Sequence, residues 1–305
     1  MRKFNIELFD YFMDTAMLRV DLKHILCALL CAGAVLFPSA FFFAGAEDLP
    51  EAGGGRGRVL VADSSGISAE ELQPVRSEPF VPEGLARAII GTDDRVAVPK
   101  PEVYPYSTIA WIEVTGACGH TWDGTGFMIG RNFLLTAAHC LFCPEHRMGA
   151  EKAVFRFGYR NRRNCMLRYE GEWTAFVGTD FASGYDQGAM AEDWCFVRFE
   201  ENIGEETGWL GFNTPEDGEL NSRTYKAVGY REEKLKYALG EAAAYDARLF
   251  TCPADTIQGN SGGPYLFEDQ YADGIIVAED RENQLNIGRR LTPEIWSLMR
   301  QEGYQ

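Results

Sequence analysis

Histidine and positive charge are both scarce in this chain. Four histidines and 29 Lys and Arg residues stand against 45 Asp and Glu, a formal charge of −16 over 305 residues. No Lys/Arg-rich run interrupts that balance, so the chain lacks the attraction to phosphate backbones on which nucleic-acid binders depend, and nucleic acid is excluded as a partner. The acid excess reads as solubility. No internal repeat is visible, and no regular alternation of strand and helix patterns. What is present is apolar material: 46% hydrophobic and 24% charged residues supply one or two cores, which makes the chain globular.

The long apolar run is N-terminal. After Lys23 the chain reads HILCALLCAGAVLFPSAFFFAGAED, ending in Ala44-Gly45-Ala46, a small-x-small pattern that a signal peptidase accepts. Residues 1–46 are therefore read as a signal peptide, with Met17 as an alternative start. The run is also long enough to span a bilayer, so membrane association follows if it is retained; Pro38 and the Ala44-Gly45-Ala46 site favour removal and a secreted or extracytoplasmic protein. Residues 47–87 shift to Glu, Gly, Pro and Ser without sustained periodicity and read as a pro-segment or linker.

From Tyr104 onward, short apolar runs are separated by turn residues: STIAWIEV, GFMIGRNFLLTA, AVFRFGY, DWCFVRF, TYKAVGY, DGIIVA. This pattern predicts an all-β fold, a sandwich or barrel pair. The last element differs. Thr292 suits a cap, Pro293 the first helical position, and Ile295, Trp296, Leu298 and Met299 an apolar face, which predicts a C-terminal helix over 292–302.

The stretch DTIQGNSGGP, from Asp255 to Pro264, sets Ser261 among glycines. A serine is a weak nucleophile at neutral pH and needs a histidine to take its proton and an acid to orient that histidine. His24 lies in the leader, His120 in a Gly-rich loop and His146 in a Cys/Glu-rich loop, whereas His139 ends the strand-like run NFLLTAAHC. LLTAAHC, then DWCFVRF, then GNSGGP resembles the trypsin-like serine peptidase family in that chain order. The resemblance implies two chymotrypsin-like antiparallel β-barrels, about 104–203 and 204–290, with His139 as general base, Asp193 as its acid and Ser261 as nucleophile. Asp180 and Asp186 compete for the acid role; the strand WCFVRF directly after Asp193 favours that residue. Gly259 can adopt backbone angles closed to other residues, so that its N–H and that of Ser261 converge on a developing oxyanion.

The segment RAIIGTDDRVAVPKPEVYPYSTIAWIEV is similar to the mature start of the bacterial glutamyl endopeptidase-like branch, which implies a cut between Arg87 and Ala88 and a peptidase domain over 88–305. Two positions depart from the family pattern. Asn260 stands where many relatives have the aspartate that pairs with the freed N-terminus, and DGIIVAED lacks the histidine with which the glutamyl branch reads a substrate carboxylate. Asp255, six residues before Ser261, matches the aspartate at the base of the trypsin specificity pocket, and Glu279 aligns near the pocket wall. Two carboxylates there favour cleavage after Arg or Lys. The same Asp-Thr pair occurs in the glutamyl branch without that effect, so cleavage after small, apolar or acidic residues stays open.

Six cysteines follow the leader: Cys118, Cys140, Cys143, Cys165, Cys195 and Cys252. An even count in an exported chain suggests disulfides. The resemblance implies a Cys118–Cys140 bridge; sequence alone does not choose among the other connectivities, of which Cys143–Cys165, leaving Cys195–Cys252, is the expected one. HCLFCPEH also offers His139, Cys140, Cys143 and His146 at zinc-ligand spacing, which would immobilise His139. The favoured reading is a monomeric serine endopeptidase that acts on proteins or peptides without metal or organic cofactor. The alternative is a secreted pseudoprotease that binds a partner.

Overall fold

Val, Ile, Phe and Tyr dominate the runs identified above, and in the computed structural model those runs pair as strands. The structure describes residues 54–79 and 96–305 except 144, 147, 162–163, 179–180, 182–188, 232, 257–258 and 281–284. The expected leader and the Arg87–Ala88 cut lie outside the described residues.

Among the described residues the strands form two nine-stranded sheets, each with eight strands in one path and a ninth off it, Leu167–Tyr169 beside Met148–Phe157 in the first and Gly211–Phe212 beside Tyr271–Asp280 in the second. In the first, the order runs Gly55–Val61, Trp173–Val177, Cys195–Phe199, Phe133–Thr136, Thr121–Met128, Ile109–Gly116, Met148–Phe157 and Phe142–Cys143. Trp173–Val177 is buried at every position, and its neighbour Cys195–Phe199 at every position except Arg198. Such strands carry apolar residues without polar alternation because both faces are covered. Phe155, Phe199, Tyr169 and Trp173 meet edge to face inside this sheet, a geometry that adds to plain apolar burial.

The first sheet contains a strand that composition did not signal. Gly55–Val61, inside the expected pro-segment, runs parallel to Trp173–Val177, and its first residues pair with Met148–Phe157, so it closes the sheet on itself. Its glycines conceal the strand in the sequence and are needed in the structure: a Cβ on Gly57 would lie 2.1 Å from the Trp173 ring. Trp173 Nε1 donates to the Gly55 carbonyl at 3.0 Å. Farther on, the Ser77 N–H donates to the Phe212 carbonyl and the Val75 carbonyl accepts the Thr214 N–H, and Arg76 lies 4.0 Å over the Tyr271 ring.

In the second sheet the order is Ala243–Ala244, Leu249–Cys252, Leu285–Arg290, Tyr271–Asp280, Pro264–Phe267, Thr224–Arg231, Lys234–Glu241 and Val96–Ala97. Its core holds Tyr225, Phe250, Tyr265 and Ile276. One polar network is sealed beside it. The carboxylate of Asp273 accepts from Asn213 Nδ2 at 2.8 Å, and from Arg223 and the Tyr225 hydroxyl at 2.7 Å each.

The C-terminal helix spans Pro293–Gln301 and buries Ile295, Leu298 and Met299. Thr292 does not cap it through its side chain; its carbonyl, which takes the Trp296 N–H at 3.2 Å, begins the helix instead. Trp296 packs on Phe212 and Tyr304, and the Tyr304 hydroxyl donates to the Ile129 carbonyl at 2.8 Å. Among the described residues no helix is long and apolar enough to cross a membrane.

Candidate active site

The strand Phe133–Thr136 is buried along its length. Its last residue closes it with a side-chain bond, from Thr136 Oγ1 to the Thr125 carbonyl at 2.6 Å. The chain then makes a single 3-10 turn over Ala138–Cys140. That turn puts the backbone N–H and the ring of His139 on one side. Cys195, two residues after Asp193, pairs in register with Thr136, which brings Asp193 against the turn.

Both oxygens of Asp193 are used. Oδ1 accepts the His139 backbone N–H at 3.0 Å, and Oδ2 lies 2.6 Å from His139 Nδ1. The Asp193 side chain is fully buried and that of His139 is 9% exposed. A bond to the backbone and another to the ring of the same residue fix the imidazole in orientation and tautomer, leaving Nε2 as the second ring nitrogen. Burial pushes the His139 pKa down, but the Asp193 charge, with smaller contributions from Cys140, more than offsets it and holds the group well above its ordinary value.

Ser261 lies on the turn that precedes Pro264–Phe267, and the turn is held against the first sheet. The Ser261 carbonyl accepts from the Thr125 N–H at 2.8 Å and from Cys140 Sγ at 3.3 Å. Thr125 Oγ1 donates to the Gly259 carbonyl at 2.6 Å and accepts the Tyr230 N–H at 2.9 Å. Gly259 has φ +90, and a Cβ there would stand 2.8 Å from the Tyr230 carbonyl, so only glycine fits. Asn260 is buried and its Nδ2 donates to the Tyr230 carbonyl at 3.1 Å. That bond gives this side chain a structural role within the second sheet.

Asp255 is exposed between buried Ala254 and Thr256. Thr256 Oγ1 donates to Asn286 Oδ1 at 2.6 Å, and Asn286 pairs in register with Cys252 on one side and with Glu279 on the other. Asn286 is thus the junction between the two acidic positions. Asp180 and Asp186 lie outside the described residues.

All six cysteines are free thiols, and their neighbourhoods differ from the pairing implied above. Cys140 turns toward Ser261, while Cys118 belongs to a cluster with Cys143. Cys165 bonds to the Leu167 carbonyl at 3.0 Å within its own hairpin. Cys195 sits in the first core and Cys252 in the second, so those two do not meet. The zinc spacing in HCLFCPEH is also regrouped. His139 and Cys140 face the Asp193 and Ser261 side, whereas Cys143 and His146 join Cys118 and His120. Thr125 and this four-residue cluster escaped the sequence reading; the Cys-x-His and Cys-x-x-His spacings of CGH and CPEH were the available signal.

Comparison with known proteins bears on the family and the fold. Residues 124–275 match the family described as a trypsin-like peptidase domain. The chain is 22% identical over 223 residues to the extracellular metalloprotease of Bacillus subtilis, covering 69% of this chain and 68% of that one. It is 28% identical over 190 residues to the glutamyl endopeptidase of Bacillus licheniformis, covering 60% of this chain and 55% of the relative. A solved Glu endopeptidase superposes with a TM-score of 0.58 at 23% identity, over 70% of this chain and 99% of that one.

Proposed function

Since this chain belongs to the trypsin-like serine peptidases, in their bacterial glutamyl-endopeptidase-like branch, we propose that it hydrolyses peptide bonds through an acyl-enzyme on Ser261. His139 Nε2 takes the Ser261 hydroxyl proton as Oγ attacks the scissile carbonyl. Asp193 holds the imidazolium that results, and the N–H groups of Gly259 and Ser261 receive the oxyanion. His139 then gives its proton to the leaving amine, and water, activated by the same imidazole, releases the acyl group. The observation that carries this reading is the doubly bonded Asp193 carboxylate on His139.

The finer reading is a preference for Arg or Lys before the scissile bond, supported by the acidic positions 255 and 279 on either side of Asn286. An exposed carboxylate attracts a basic side chain and repels an acidic one. The protein acts outside the cytoplasm as a monomer, after removal of residues 1–46 and cleavage between Arg87 and Ala88. The leader supports export, and the B. subtilis relative is itself described as extracellular.

The test is a peptide-library digest read by mass spectrometry beside a Ser261→Ala control. The reagent is the chain cut between Arg87 and Ala88 with its upstream fragment retained, because the strand Gly55–Val61 is built into the fold. Cleavage after Arg or Lys, absent from the control, is the expected result. Cleavage elsewhere keeps the peptidase and removes Asp255 from specificity, and a folded chain that cuts nothing is a binding module.

A further inference from the structure

Distinct from His139, Asp193 and Ser261, the residues Cys118, His120, Cys143 and His146 present two sulfurs and two imidazoles whose ligating atoms all lie within 4.8 Å of one another. From this geometry we infer a structural zinc site that clamps the hairpin turn at 116–121 to the loop that follows His139. The inference does not depend on the peptidase reading.

The scaffold for such a site is made by the backbone. Gly116 N–H donates to the His120 carbonyl and Gly119 N–H to the Gly116 carbonyl, each at 2.8 Å, which fixes the turn carrying Cys118 and His120. On the other side Phe142 and Cys143 pair with Gly149 and Met148, which brackets the loop carrying His146. Ala117 N–H donates to the Gly149 carbonyl at 3.2 Å, so the two turns already touch. Each supplies one thiol and one imidazole at short spacing, the arrangement of a four-ligand Cys2His2 site.

The dimensions fit. Zn–S bonds near 2.3 Å and Zn–N bonds near 2.0 Å set ligand-to-ligand edges of about 3.3–3.8 Å in a tetrahedron. His146 Nδ1 is 3.5 Å from Cys143 Sγ, and the two imidazole rings are 4.6 Å apart at 83°. Side-chain rotation of about 1 Å closes the set. His120 and His146 are exposed, which leaves them free to make that adjustment. Glu145 Oε2 stands 3.9 Å from His120 Nδ1, beyond hydrogen-bond distance, but a shift of about 1 Å would let it accept from the ring once His120 ligates. Binding converts both thiols to thiolates and releases their two protons. Four protein ligands leave no open coordination position, so the ion braces the loop and takes no part in hydrolysis. A Cys118–Cys143 disulfide is the rival state, but it would leave the convergence of both imidazoles without a partner.

The test measures metal on the full chain produced in zinc-sufficient medium, by elemental mass spectrometry after gel filtration. Cobalt substitution is read from the visible bands of tetrahedral Co(II) and the near-ultraviolet thiolate charge transfer. One zinc per chain is expected in the wild type and in Ser261→Ala, whether or not peptides are cut, and none in the Cys118→Ser, Cys143→Ser double variant. His120→Ala and His146→Ala, at exposed positions that leave the fold intact, are expected to lose zinc to a competing chelator at lower concentration. Metal content unchanged in the cysteine and histidine variants would overturn the site, as would a metal-free chain whose non-reduced peptide map contains a Cys118–Cys143 disulfide.

Discussion

The Thr125 N–H donates to the Ser261 carbonyl across 2.8 Å, joining a strand of the first sheet to the glycine turn ahead of Pro264–Phe267 in the second. The Thr125 hydroxyl adds two more bonds across the same boundary, to the Gly259 carbonyl and from the Tyr230 N–H. Thr125→Val keeps the shape and the backbone bond and removes both side-chain bonds. Leaving buried backbone groups unpaired costs about 1–3 kcal/mol each. The expected outcome is a lower Tm and a kcat reduced more than KM is changed, measured by calorimetry and steady-state kinetics.

Asp193→Asn preserves the volume beside His139 but removes the charge and the preferred tautomer. A loss of about ten-thousand-fold in kcat is expected from that change. Activity in Asp193→Asn within a few-fold of wild type would mean that the bond to His139 Nδ1 is structural only.

The His139 pKa is held above the ordinary value, chiefly by Asp193 once the opposing effect of burial is overcome. A general base must be neutral, so kcat/KM should fall on the acid side with a midpoint above about 6.5. The stability linkage has the opposite sense. A raised folded pKa stabilises fully below the unfolded value, and that contribution is lost as pH rises through the folded value. Titration of the acid limb in wild type, and its downward shift in Asp193→Asn, checks the first; unfolding free energy measured across the same pH range in both proteins checks the second.

Gly259→Ala forces a Cβ to within 2.8 Å of the Tyr230 carbonyl at φ +90. Displacement of this turn takes an oxyanion donor out of position, with an expected loss of about 100–1,000-fold in kcat. Substrate KM, read in the same assay, is expected to change far less.

The all-β architecture and the C-terminal helix were legible because apolar runs, turn glycines and Pro293 are local signals, whereas the contact between His139 and Asp193 was reachable only through the family resemblance of LLTAAHC and DWCFVRF. Gly55–Val61 was not, because its glycines and arginines read as linker and its pairing partner lies more than a hundred residues away. The cysteine neighbourhoods were illegible for a similar reason. Whether Cys140 turns toward Cys118 or toward Ser261 depends on the single turn at Ala138–Cys140 and on the approach of the second sheet. The exposure of Asp255 could not be read from its spacing to Ser261, because spacing does not report burial.

The closing strand carries its own expectation. Backbone bonds tie residues 55–77 to both sheets, and Ser297 Oγ donates to the Glu71 carbonyl at 3.0 Å. After cleavage at Arg87 the upstream fragment should therefore co-elute with the body on native gel filtration and separate only in denaturant. A body that elutes alone and stays folded would show that the strand is dispensable.

The most direct measurement is covalent labelling of the processed chain with a serine-directed phosphonate, with the modified residue mapped by peptide mass spectrometry. Stoichiometric modification of Ser261 is expected, abolished in His139→Ala and strongly slowed in Asp193→Asn. Labelling that does not depend on His139, or a folded chain whose Ser261 stays unmodified, would contradict an activated nucleophile at this position.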